Sequence, residues 1–316
     1  MIPETEAGVA PAADAPGEGC LDDGGIARHR GGQMIGGQMK LEAGQVAVVT
    51  GAANGIGAAL AAALVRRGLR VVVADIDSEA LTKTATDLGD QVLAVPTDVA
   101  EIEQVRALAD RTLAEFGRVD LVFNNAGMGA GGPSWDIAPA DWNRVWAVNV
   151  GGVVNGVHVF TPHLIAAGRG HIVNTASLAG LTVGLFGAPY AASKAAIISI
   201  SESLRGELDL VAPDVGVTVV CPGPVDTQMF RGLAELADPP AGAAPDALPP
   251  EVAAKLAPMM DAITEMAKEM LPAPQAAEII LAAVESGKLY ETTHPAMAVA
   301  ARERMNTILE SFGTPA

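Results

Sequence analysis

Short, continuous apolar runs separated by longer amphipathic stretches set the rhythm of this chain from residue 45 onward. Gln45-Val46-Ala47-Val48-Val49-Thr50 reads as a first strand, followed by an Ala-rich helix to about Arg67. Leu69–Ala74 is a second strand, 78–88 a helix, Val92–Pro96 a strand, 101–116 a helix and Val119–Phe123 a strand. The alternation continues with a long helix over 140–167, a strand Gly170–Ala176, a helix over 188–209 and a strand Val215–Val220. A helix at 274–286, a short strand Leu289–Glu291 and a tail helix at about 296–311 close the pattern. Apolar strands of this kind are buried, and their alternation with helices requires right-handed crossovers. The expectation is an α/β fold with a doubly wound parallel sheet in a single domain.

Two stretches break the rhythm. Residues 1–44 are rich in Gly, Ala, Pro and Asp, with the near-repeat Gly31-Gly32-Gln33-Met34 and Gly36-Gly37-Gln38-Met39. Such a composition cannot bury a core, so 1–44 is expected to be a disordered extension of a domain spanning 45–316, with Met34 or Met39 as alternative starts. Residues 228–272 hold Pro239-Pro240 and Pro249-Pro250 between two short amphipathic helices carrying Met259, Met260, Met266 and Met270. A long insert of that kind is expected to be a helical substrate lid, although packing is the plainer use of its methionines. Residues 293–316 form a C-terminal tail.

Composition narrows the function. Half of the 316 residues are apolar, ample for a large core, yet no run of about 18 apolar residues free of charge appears, so no membrane span is expected. The first residues lack the basic flank and apolar core of a secretory signal. Cys20 and Cys221 are too far apart to suggest a disulfide framework or a zinc ligand set, so no metal is expected and a reducing cytoplasm fits. A formal charge of −17 argues against nucleic-acid and anionic membrane partners.

The chemistry gathers at the carboxyl ends of the predicted strands, where ligands of open parallel sheets bind. After the first strand comes Gly51-Ala52-Ala53-Asn54-Gly55-Ile56-Gly57, a glycine-rich turn opening a helix, as a dinucleotide pyrophosphate requires. Its spacing is GxxxGxG, not the commoner GxGxxG. Asp75 ends the second strand eighteen residues after Gly57, placed to accept from ribose hydroxyls and to repel a 2′-phosphate. Ala52, Ala53, Asn54 and Ile76 offer no cation for such a phosphate, which favours NAD over NADP. Capping the next helix is the alternative use of Asp75, for which Asp77 is better placed. Asp98, Asn124 and Ser177 fall at further strand ends. Tyr190 and Lys194, one helical turn apart, bring a phenol and an ammonium together, and a fixed positive charge is expected to lower the phenol's pKa and suit it to proton transfer with an alcohol. Asn149 lies in an apolar stretch, either as a functional amide or as a core amide satisfied by backbone.

Thr50-Gly51-x-x-x-Gly55-x-Gly57, Asn124-Asn125-Ala126-Gly127, Ser177, Tyr190-x-x-x-Lys194 and Pro222-Gly223 together resemble the short-chain dehydrogenases/reductases, over about 45–227 and loosely to about 292. The resemblance implies a compact single-domain Rossmann fold and a hydroxyl-directed oxidoreductase. By it, Tyr190 is the acid/base, Lys194 lowers its pKa and binds the nicotinamide ribose, Ser177 orients the substrate oxygen, and Asn149 holds a water beside Lys194. Gly51, Asn54, Gly55, Ile56, Gly57, Asp75, Ile76, Asp98, Val99, Asn125, Ala126, Gly127, Pro222, Gly223, Val225 and Thr227 are the implied cofactor contacts, with Asn124 also lining the groove. The resemblance further implies a homodimer or homotetramer paired through the helices at 140–167 and 188–209. The substrate segments are mostly apolar, with Arg231 as the one fixed cation, so an apolar secondary alcohol or ketone is expected. A dinucleotide-binding sensor without turnover, or an isomerase or dehydratase using the same tyrosine, shares these motifs.

Overall fold

The computed structural model describes residues 38–231 and 270–313, with isolated positions between 257 and 268. The strands are β1 (Val46–Thr50), β2 (Arg70–Asp75), β3 (Val92–Pro96), β4 (Leu121–Asn124), β5 (Gly170–Thr175), β6 (Val215–Val220), β7 (Val225–Asp226), β8 (Leu271–Pro272) and β9 (Tyr290–Glu291). Seven of them form a sheet in the order β3-β2-β1-β4-β5-β6-β9, while β7 and β8 pair apart. Every pairing is parallel. The order reverses between β1 and β4, which opens a crevice at their carboxyl ends.

The helices are α1 (Gly55–Arg66), α2 (Ser78–Leu88), α3 (Ile102–Phe116), α4 (Pro139–Trp146), α5 (Gly152–Ala167), α6 (Ala188–Val211), α7 (Ala273–Ser286) and α8 (Ala298–Glu310). Because successive strand residues face opposite sides, each strand feeds two cores. Ala47, Val49, Val71, Val73 and Phe123 pack with Leu60 and Leu64 of α1 and Ile280, Leu281 and Val284 of α7. Val48, Val72, Val122 and Ile172 pack on the other face with Leu108 of α3, Phe160 and Leu164 of α5 and Leu204 and Leu208 of α6. Each such buried Leu, Val or Phe contributes about 1.5–3 kcal/mol over its exposed state.

Three expectations change. First, packing begins before residue 45: Met39 is buried in the first core with Leu41 against it, and Gly44 N–H bonds Gly68 C=O at 3.0 Å. Residues 1–37 lie outside the described residues, as do Met259, Met260 and Met266 of the expected lid. Second, the helix expected over 140–167 runs unbroken from Pro139 to Ala167 but widens into a π turn, Ala147–Gly151, between α4 and α5. The wider turn carries Asn149, which is fully buried. Third, the run Pro139–Ala167 is long and apolar enough by composition to cross a membrane. Its Val153, Gly156, Phe160 and Leu164 are buried, and Phe160 and Leu164 pack in the second core, so it is a helix of the sheet's flank. The tail helix α8 is present, but none of its side chains is buried.

Candidate active site

The glycine-rich turn joins β1 to α1 by close backbone approach. Gly51 (φ +65°) and Gly55 (φ +56°) are left-handed, and a Cβ on Gly57 would sit 2.1 Å from the Gly51 carbonyl oxygen. Helix α1 starts after Asn54 with no side-chain cap, leaving its first N–H groups as donors for an anion. Asp75 stands at the end of β2, its Oδ2 accepting from Ala53 N–H at 3.0 Å and its Oδ1 from Asp77 N–H at 3.1 Å. Asp77, as expected, caps α2 by accepting from Ala80 N–H. Ile76 is exposed beside it. Asp98 holds the Ala100 N–H, and Val99 is packed under Gly152.

Asn125 ties the ends of three strands. Its Nδ2 donates to Thr50 C=O at 3.0 Å, Thr175 Oγ1 donates to its Oδ1 at 3.3 Å, and Thr50 Oγ1 accepts from the N–H groups of Asn125 and Ala126. Asn124 does not line the groove. It is buried behind the sheet, where its Nδ2 donates to Asn174 Oδ1 at 2.9 Å and Asn174 in turn donates to Ser201. Alternation along β4 decides this: neighbours in a strand face opposite ways, and only Asn125 turns to the glycine-rich loop.

Tyr190 and Lys194 occupy the first turns of α6. Lys194 is 3% exposed, its Nζ donates to Thr175 C=O at 2.8 Å, and it lies 5.5 Å from the centroid of the Tyr190 ring. Ser177, after β5, accepts from Ala179 N–H at 3.1 Å, and its hydroxyl donates to Pro222 C=O at 3.5 Å. The expected lowering of the Tyr190 pKa by Lys194 is not found. Burial pushes the phenol up, and the polar Ser177 side chain only partly opposes it. Lys194 is itself lowered to about 8 by burial, so the same desolvation disfavours the charged form of both groups.

Asn149 is a core amide satisfied chiefly by backbone. Its Oδ1 accepts from Met128 N–H at 2.8 Å, and its Nδ2 donates to Met128 C=O at 3.0 Å and to Ser193 Oγ at 2.9 Å. Ser193 Oγ donates onward to Tyr190 C=O at 2.7 Å. Gly127 fills the gap between the groups: a Cβ there would lie 3.3 Å from Lys194 Nζ and 3.4 Å from Asn149 Oδ1.

The last strand end, beyond β6, closes the site. Pro222 C=O accepts from Leu178 N–H at 3.0 Å, and Gly223 N–H donates to Thr293 Oγ1 at 3.0 Å. Val225 is buried, and the Thr227 methyl lies 3.1 Å from where a Gly55 Cβ would be, over the glycine-rich turn. Arg231 is not a free cation: Asp226 takes it bidentately at 2.7 and 2.9 Å. The sequence reading named Thr50 only within the glycine-rich motif and gave no role to Thr175 or Ser193, although Thr50 and Thr175 end β1 and β5, where the strand-end rule reaches them. It also missed Cys221, whose thiol is pushed up to about 12 by burial.

The family model for short chain dehydrogenase matches residues 45–237, the span that carries this whole constellation up to Thr227. The chain belongs to the short-chain dehydrogenase/reductase family. Among curated members, 1-deoxy-11-beta-hydroxypentalenate dehydrogenase of Streptomyces exfoliatus is 43% identical over 60% of this chain and 70% of its own length. Putative oxidoreductase SadH of Mycobacterium tuberculosis is 43% identical over 60% of this chain and 69% of that protein. Among solved structures, a short-chain dehydrogenase/reductase from Burkholderia phymatum in complex with NAD superposes with a TM-score of 0.75 at 36% identity, covering 88% of this chain and 98% of that one. As a family member the chain is an oxidoreductase of the short-chain type with a nicotinamide dinucleotide cofactor. The uncapped α1 start, the Gly57 cradle and the Asp75 carboxylate fit such a group.

Proposed function

We propose that this short-chain dehydrogenase/reductase interconverts a mostly apolar secondary alcohol and its ketone, prefers NAD, and works through Ser177, Tyr190 and Lys194, with Asn149 holding them in register. The observation that carries the reading is the Lys194 ammonium 5.5 Å from the Tyr190 ring centroid at the start of α6, with Ser177 at the end of β5 beside the same carboxyl edge as the glycine-rich turn. A nicotinamide dinucleotide held by the glycine-rich turn and Asp75 would supply the hydride chemistry at the carbinol carbon. Tyr190 takes the hydroxyl proton on its phenolic oxygen during oxidation and returns it during reduction. Ser177 Oγ donates to the same substrate oxygen. Lys194, titrating near 8, keeps its proton at neutral pH and so leaves an ammonium donor beside Tyr190 for the cofactor ribose.

The NAD preference rests on Asp75, held facing the turn by Ala53 N–H, and on the lack of Lys or Arg at Ala52, Ala53, Asn54 and Ile76. The apolar substrate rests on exposed Val183, Leu185 and Met229 around the site and on the neutralised Arg231. A cytoplasmic homo-oligomer paired through α5 and α6 accords with exposed Val154 and Ile165 on α5 and Leu210 on α6. The test is absorbance of reduced nicotinamide with NAD or NADP over a panel of secondary alcohols, for the wild type and Tyr190→Phe. Turnover with NAD, lowered at least ~10²-fold in Tyr190→Phe, is expected. Equal turnover in the variant overturns the mechanism.

A further inference from the structure

The chain leaving β4 runs without regular structure past the start of α6, and it is held at two points. Asn149 grips Met128 by both its N–H and its C=O, at 2.8 and 3.0 Å. Gly132 N–H donates to Phe186 C=O at 2.9 Å, and Phe186 is the one described non-glycine residue with a left-handed φ, 61°. Alternate positions along this passage, 127, 129 and 131, are all glycine, and Cβ atoms built on them approach Lys194 Nζ (3.3 Å), Tyr190 Cδ2 (3.9 Å) and Phe186 O (3.3 Å). Side chains at 127 and 131 would crowd their neighbours. Gly129 is different. Its φ lies outside the left-handed region, it is exposed, and a Cβ there would make ordinary contact with the tyrosine ring edge. The fold therefore does not require glycine at 129. What a side chain there would take away is space beside the Tyr190 ring.

We propose that Gly129 is a specificity-determining residue that keeps open a slot alongside Tyr190 for the flank of a bulky, ring-fused alicyclic secondary alcohol or its ketone. This rests on the reading of Tyr190 as the group that meets the substrate oxygen. The bare positions 129 and 131 are both exposed, so a flank wider than one ring meets no side chain at either. Val183 and Leu185, exposed on the neighbouring loop, supply apolar surface and no fixed charge for such a flank.

The experiment compares wild type, Gly129→Ala and Gly129→Val with propan-2-ol, cyclohexanol and decahydro-2-naphthol, each variant first checked for an unchanged melting temperature. The expected result is a graded shift in selectivity. The ratio of kcat/KM for propan-2-ol over decahydro-2-naphthol rises about tenfold or more in Gly129→Ala and further in Gly129→Val, since one added carbon in an apolar pocket changes discrimination ~10-fold or more. Equal effects on all three alcohols, or none, overturn the proposal. If the wild type oxidises no alcohol, the proposed reaction fails, and the slot is still read by calorimetric binding of 2-decalone and acetone to the protein with NADH. Weakening confined to 2-decalone in Gly129→Val supports the slot, and no difference between the two ketones overturns it.

Discussion

Replacing Asn149 by alanine tests whether one buried amide sets the geometry of the whole site. The side chain is fully buried and makes three hydrogen bonds, two with the backbone of Met128 and one with Ser193. Truncation leaves the Met128 N–H and C=O without their partner and removes the link that continues through Ser193 to Tyr190 C=O. At about 0.5–1.5 kcal/mol per hydrogen bond, with a penalty for stranded backbone groups, the loss is about 2–4 kcal/mol. For a domain of this size that lowers the melting temperature by roughly 5–12 °C. Activity falls further than stability explains, because Gly127 and Gly129 lose their register against Lys194 and Tyr190, and small misplacement of reacting groups costs ~10²-fold. Urea unfolding and kcat measured on the same preparation separate the two effects. Asn149→Asp, nearly the same size, presents an acceptor to Met128 C=O and Ser193, so it is at least as damaging as the alanine. A loss below ~0.5 kcal/mol with kcat retained in Asn149→Ala refutes the clamp, since it means that volume and not hydrogen bonding holds this segment.

Two further outcomes follow from the charges. Asp75→Ser combined with Ile76→Arg removes the carboxylate and adds a cation at an exposed position, and the ratio of kcat/KM with NAD to that with NADP falls by at least ~10-fold; an unchanged ratio shows that the end of β2 does not read the ribose. Lys194 titrates near 8 in the folded protein against 10.5 unfolded, so between these values the unfolded chain binds more protons and the Lys194 contribution to stability rises with pH. Cys221 acts in the opposite sense above about 9, being raised to about 12, so the Lys194 contribution stands clear between pH 8 and 9. Urea midpoints of the cofactor-free protein gain less over that window in Lys194→Met than in the wild type, and identical gains exclude Lys194 as their source.

Local pattern was enough to read most of the architecture. The apolar runs Val92–Pro96 and Val215–Val220 and the helix over 78–88 fall where the structure has β3, β6 and α2, because an element buried on a sheet face must repeat its apolar residues at that element's own period. The π turn inside the helix at 139–167 was not legible in this way: it leaves the apolar pattern nearly intact and is decided by where the amide of Asn149 finds partners, at Met128 and Ser193 from two other elements. The early packing of Met39 was hidden for a similar reason, since a single side chain entering the core leaves no periodic signal in a glycine-rich segment.

The candidate site divides along the same line. Residue types and their strand-end positions were determined by the sequence: the glycines of the turn, Asp75, Ser177, and Tyr190 one helical turn before Lys194. Which neighbour faces the crevice was a tertiary matter. Asn124 and Asn125 are equivalent as letters, yet strand alternation sends the first to Asn174 behind the sheet and the second to Thr50 in front. The electrostatics were decided there as well. Spacing alone suggested that Lys194 would lower the Tyr190 pKa, but proton affinities depend on how much water each group loses, and burial raises the phenol while lowering the ammonium. Sequence spacing carries the identity and nearness of charges; solvent exclusion belongs to the assembled fold.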